Sequence, residues 1–103
     1  MTMEFIRRCV RQGRIRHTRH SAEVRLDRGL SNRQMKKALL NGEIIERDPG
    51  DTPRPSVLVL GWLDSGDPLH LKCSRAPGED FVTLVTLYEP DARYWREDFK
   101  TRK

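Results

Sequence analysis

The fold turns on residues 35–46, "MKKALLNGEIIE", because the spacing of apolar residues changes inside this stretch. Before Gly42, Met35, Ala38 and Leu39 recur at helical spacing and form one apolar stripe. Ser31 and Gln34 supply an S-x-x-Q capping box, and Leu30 and Met35 stand at the hydrophobic-staple positions around it. Asn41-Gly42 closes the helix at its C-terminus. After Gly42 the period drops to two, and "EIIER" (43–47) reads as a strand. Helices are therefore expected before this point and strands after it.

Towards the N-terminus, "TMEFIRRCVRQG" (2–13) places Phe5, Ile6, Cys9 and Val10 at helical spacing, with Thr2 as cap and Gly13 as stop. The segment "HTRHSAEVRLDRGL" (17–30) alternates in part like a strand, but Ala22 and Leu26 also fit an i,i+4 pair. Gly29, just before the next cap, favours a second short helix. Downstream, "DPGDTPRP" (48–55) is loop, and "SVLVLGWL" (56–63) is a nearly continuous apolar strand. "DSGD" (64–67) turns into the strand of "GDPLHLKCS" (66–74), making a hairpin. "APGED" (76–80) is the next turn and "FVTLVTLY" (81–88) the last strand; Pro90 ends it, before a turn carrying Trp95. The expectation is one α+β domain over residues 1–103, with three N-terminal helices followed by an antiparallel sheet of about four strands.

Charge is unevenly spread. Residues 1–42 carry 11 Lys/Arg against 3 Asp/Glu, whereas residues 43–103 carry 9 against 12. With a pI near 9.7, the basic half points to a polyanionic partner, or to an Arg-rich solvated helix face. No apolar run approaches the roughly 18 residues of a membrane span, and "MTMEFIRRCV" lacks the pattern of a signal peptide. Cys9 and Cys73 have no CxxC companion, so both read as buried thiols of a cytoplasmic protein. His17, His20, His70, Cys9 and Cys73 include zinc-ligand types but not the paired spacings of a structural site. Glycine-rich phosphate loops and the G-x-S-x-G elbow are also missing, and no cofactor is expected.

What remains is an acid–base set. His70 stands between Leu69 and Leu71, on the polar side of its strand with Lys72. His20 opens the second helix, with Arg25 and Arg28 following, and Thr86 and Tyr88 share one face of the last strand. Metal-independent cleavage of RNA by its own 2′-hydroxyl uses such groups: a base, an acid, and cations around the phosphorane. Plainer readings stand beside this one. His20 could only cap its helix, His70 could bond a carboxylate, Tyr88 could simply pack, and Trp62 and Trp95 could be anchors or base-stacking platforms.

Four marks together resemble the bacterial domain-of-unknown-function family 4258. They are His20 followed by "RGLS" (28–31), "LLNGEIIE" (39–46), "PLH" ending at His70, and a final "T-x-Y-E-P-D" (86–91) with Trp95 and "KTRK" (100–103). That family is grouped with the barnase–EndoU–colicin–RelE fold of small ribonucleases. Its members often resemble toxins encoded beside an antitoxin with a zinc-binding CxxC domain. The resemblance implies a RelE-like, RNA-cleaving toxin. His20, Arg28, His70, Thr86, Tyr88 and Arg102 would stand at the family's polar positions, and ribosome-bound message and an antitoxin would be partners. The sequence departs at Val24-Arg25, where relatives commonly have an arginine and then an apolar residue. On this reading His20 and His70 share acid and base work. Arg28, and Arg25 from a neighbouring helix angle, hold phosphate; Thr86 and Tyr88 position it; Lys72 and Arg102 attract RNA. The rival readings are a non-catalytic RNA- or ribosome-binding module and a protein-interaction domain docking an acidic partner.

Overall fold

A computed structural model describes residues 1–103. The chain runs α1 (Met3–Arg11), β1 (Ile15–His17), α2 (Arg19–Asp27), α3 (Asn32–Leu40), β2 (Glu43–Asp48), β3 (Ser56–Trp62), β4 (Pro68–Ser74) and β5 (Val82–Tyr88). The period change at Gly42 does mark the passage from α3 to β2. The expected cap residues act as such: the Thr2 hydroxyl accepts from the Phe5 amide, and Ser31 and Gln34 form the reciprocal capping box.

Two features correct the expected architecture. The strands form one five-stranded sheet in the order β1-β5-β4-β3-β2, and β1 lies between α1 and α2, so the helices are not all N-terminal. The sheet is also mixed: β1 pairs with β5 in parallel, Ile15 opposite Val82, while β2 to β5 are antiparallel. β1 has only three residues, too few to display a period, and it joins the sheet at an edge.

On one face of the sheet, Val57, Val59, Leu69, Leu71, Cys73, Leu84 and Leu87 pack under α1 and α3 with Phe5, Ile6, Met35 and Leu39. Arg7 ties the two helices together, donating from Nε to the Leu40 carbonyl at 3.1 Å and from Nη2 to that of Gly42 at 3.0 Å. It thereby satisfies carbonyls left open at the end of α3. The α3 backbone passes so close to β3 at Gly61 that a Cβ there would collide with the Ala38 carbonyl.

Residues paired across adjacent strands share a face, so register defines the opposite face. His70 pairs with Leu60 and Tyr88, Lys72 with Leu58 and Thr86, and Glu46 with Leu58. This face lies opposite α1 and α3. One end is closed by a strap, residues 91–103, folded back on itself: the Arg96 amide donates to the Thr101 carbonyl and Trp95 bridges to Arg102. The Asp98 carboxylate accepts from the amides of Lys100 and Thr101, tightening the turn. Phe99 then takes a left-handed backbone, φ +59°, uncommon for a bulky residue. That conformation aims its carbonyl at the sheet.

Candidate functional site

Thr18 fixes where α2 begins. Its amide donates to the Leu84 carbonyl, its hydroxyl donates to the Val85 carbonyl at 2.7 Å, and the same oxygen accepts the Ser21 amide as the helix cap. The docking point lies beside a register shift between β4 and β5, where Cys73 pairs with Leu84, Lys72 pairs with Thr86, and Val85 is left over. The shift turns Thr86, and Tyr88 two residues on, to the face opposite Leu84. His20, two residues after Thr18, then reaches this face, with Nε2 3.0 Å from Thr86 Oγ1. The helix carrying His20 thus meets the His70 face of the sheet.

His70 itself is not solvated. It has no exposed surface, and both ring nitrogens are engaged. Nε2 lies 2.7 Å from the Phe99 carbonyl, which can only accept, so Nε2 carries the proton. Nδ1 is then the acceptor for the Tyr88 hydroxyl, 3.3 Å away. Trp95 presents its ring edge-on to the imidazole, centroids 4.5 Å apart. Burial pulls the His70 pKa below its ordinary value of 6.5, outweighing the opposing pull of the Phe99 carbonyl and of Glu46. Burial likewise pushes the Tyr88 hydroxyl above its ordinary value of 10.0.

Beside Tyr88 a cleft of about 650 Å³ opens on the sheet, walled by Glu46, Asp48, Leu58, Lys72, Tyr88 and Arg102. Two of its three cations are ion-paired; the third, Arg47, donates to the Met1 carbonyl. Lys72 Nζ lies 2.8 Å from Asp51, a carboxylate that also accepts from the Ser56 hydroxyl. Arg102 grips Glu46 with two parallel bonds, Nε–Oε2 at 2.7 Å and Nη2–Oε1 at 2.9 Å. The bond to Arg102 holds the Glu46 carboxyl below its ordinary value. His20 lies one residue row beyond the cleft wall, since its partner Thr86 pairs with Lys72.

The structure therefore gathers His20, Thr86, Tyr88, His70, Lys72 and Arg102 on one face, and leaves out Arg25 and Arg28. The Arg25 guanidinium donates to the Leu30 carbonyl at 2.8 Å and stitches the turn between α2 and α3. Arg28 caps the far end of α2, eight residues from His20 and about 12 Å along the helix axis. Sequence reasoning passed over Glu46, Asp51 and the Phe99 carbonyl. The first two offered only acidic residues among fifteen, and a carbonyl carries no residue-type signal. Cys9 and Cys73 are both buried free thiols, and burial pushes Cys73 up to about 12. No helix is long and apolar enough to cross a membrane.

One consequence concerns pH. A histidine whose folded pKa is depressed takes up its proton more readily when unfolded. Stability is thus expected to fall as pH drops through 6.5, levelling off below the folded value. His17 is also depressed, by burial and then by Arg25 and Lys36. The isolating experiment is therefore urea unfolding of His17→Gln at pH 7 and pH 5. Its midpoint should still be lower at pH 5; an unchanged midpoint would mean that His70 titrates normally in the fold.

Residues 17–89 match the family described as Domain of unknown function (DUF4258), and the chain belongs to that family. No curated protein and no solved structure matches the chain. The matched span contains His20, His70, Lys72, Thr86 and Tyr88, and stops short of the strap that bears Trp95, Phe99 and Arg102.

Proposed function

We propose that the protein is a metal-independent endoribonuclease of RelE-like architecture, acting as the toxin of a cytoplasmic toxin–antitoxin pair. The observation that carries this reading is exposed His20, bonded to Thr86 one residue row from a cleft that presents Tyr88, Lys72 and Arg102. In the reaction, a base removes the proton of an RNA 2′-hydroxyl and the freed oxygen attacks the adjacent phosphorus. The bond from phosphorus to the 5′-oxygen breaks, and an acid protonates that oxygen, leaving a 2′,3′-cyclic phosphate and a 5′-hydroxyl. His20 is one of the two proton-transfer groups, since an imidazole ring can both accept and donate a proton. Tyr88 is the group opposite it, and Thr86 orients His20. His70, paired with Leu60 and behind Tyr88, acts as a positioning residue: accepting the Tyr88 proton at Nδ1 fixes the direction of that hydroxyl.

The test is incubation of mixed RNA in EDTA, with and without ribosomes, followed by mapping of product ends. Wild type should give cyclic-phosphate ends. His20→Ala should lose about a hundredfold or more in rate, and Tyr88→Phe should also be impaired. RNA left intact by wild type in both conditions would overturn the proposal.

One observation favours a non-catalytic reading. Within residues 28–42 there is no acidic residue, and Arg28, Arg33 and Lys36 form no ion pair, while the cleft cations Lys72 and Arg102 do. An RNA or ribosomal surface, or an acidic antitoxin, would bind this α2–α3 face through those free charges. Binding that weakens steeply with salt, without product, is the outcome this reading expects.

A further inference from the structure

We propose that Arg102 is the seat for a phosphodiester group, and that Glu46 occupies this seat in the free protein. The inference rests on the ribonuclease reading for the ligand's identity; the geometry is independent of it. Arg102 is fixed in two ways. Its guanidinium lies over the Trp95 ring, 4.5 Å from the centroid, and its Nε–Nη2 edge is turned to the cleft, where Glu46 meets it. Stacking on the ring sets the guanidinium plane whether or not the carboxylate is present. The edge then offers two parallel N–H donors, the fork that binds carboxylate and phosphate oxygens alike.

Glu46 is a replaceable occupant. The Arg102 side chain is 61% exposed and that of Glu46 35%, so the pair is open to solvent, which screens it and lets a competing anion reach the guanidinium. The strap has other anchors: the His70–Phe99 bond at 2.7 Å, the Trp95–His70 edge contact, and the Lys100–Glu43 pair at 2.8 Å. An arriving phosphodiester can therefore displace the carboxylate without undoing the strap. Tyr88 and Lys72 line the same cleft, so a phosphate on Arg102 brings its neighbouring nucleotides against the proton-transfer groups. The strap thus contributes a binding residue to the site, and Glu46 sets how much anion is needed to fill it.

The probe is a 2′-O-methyl hexanucleotide, which cannot be cleaved through its own hydroxyl. Binding is read by fluorescence anisotropy for wild type, Glu46→Gln, Arg102→Gln and the double variant. Glu46→Gln should tighten binding three- to tenfold, Arg102→Gln should weaken it, and Glu46→Gln should add nothing in the Arg102→Gln background. An equal gain in both backgrounds would show a general charge effect and overturn the seat. The wild type gives a second readout that needs no variant to fold: the Arg102 Nε–H resonance should shift as the hexanucleotide is added. A resonance that stays put would overturn the proposal. Binding at Arg102 by a protein that cuts no RNA would retire the ribonuclease reading and leave the seat standing. Cleavage with Arg102 undisturbed would do the reverse.

Discussion

Replacing His70 with alanine is expected to cost about 3 kcal/mol of stability, from the lost burial and from hydrogen-bond partners left without a match. The imidazole is buried and bonds the Phe99 carbonyl and the Tyr88 hydroxyl, so its removal opens a cavity and frees both. The strap should loosen at the same time, because Trp95 packs edge-on against this ring. Urea unfolding reads the first effect, and tryptophan emission with trypsin cleavage at Arg96 and Lys100 reads the second. His70→Gln can still donate to the Phe99 carbonyl and should recover part of the loss. His20→Ala removes an exposed side chain and should change stability by less than about 0.5 kcal/mol, while slowing the proposed cleavage about a hundredfold or more. The two histidines thus divide the labour: one holds the face together, the other works on it. Equal unfolding midpoints for His70→Ala and wild type would refute that division.

The second large effect is expected at Gly61. A methyl group there would run into the Ala38 carbonyl, with the Ala38 carbonyl carbon 2.7 Å and its Cα 3.0 Å away. These are backbone atoms, with no rotamer to give way, so α3 must lift from β3. Because α3 brings Met35, Ala38 and Leu39, all fully buried, to the core, Gly61→Ala should cost about 3 kcal/mol. An unchanged urea midpoint would show that the helix does not approach the strand this closely.

Much of the fold was readable in advance because its signals are local. The Ser31/Gln34 box, the Thr2 cap and the apolar stripes of α1 and α3 each lie within one or two helical turns. The strand pairings of β3 and β4 were readable because a short turn joins them. β1 was not, because three residues with one apolar member carry no period, and its partner lies at the other end of the chain. Alternation put His70 on the polar face of β4, and that is where it lies. What alternation could not reveal is that a non-local strap, held by a backbone carbonyl and an unusual φ at Phe99, covers that end of the face. For the candidate site, residue type singled out His20, Thr86, Tyr88 and Lys72 and the family resemblance added Arg102, but that they share one face rests on the register shift that brings Thr86 to His20. Arg25 and Arg28 were singled out by charge, yet charge does not say whether a guanidinium faces a ligand or a neighbouring carbonyl.

The parallel pairing of β1 with β5 also bears on how the chain reaches this state. Strands β2, β3 and β4 can zip together as soon as they exist, since each meets its neighbour across a loop. Ile15, by contrast, must wait for Val82, and Thr18 for the carbonyls of Leu84 and Val85. Contacts so distant in sequence form late, because loop closure must be met first, and a chain emerging from the ribosome N-terminus first lacks β5 until after β1 to β4 have all been made. The placement of His20 on Thr86 is therefore among the last events of folding, and a nascent chain carries no assembled cleft.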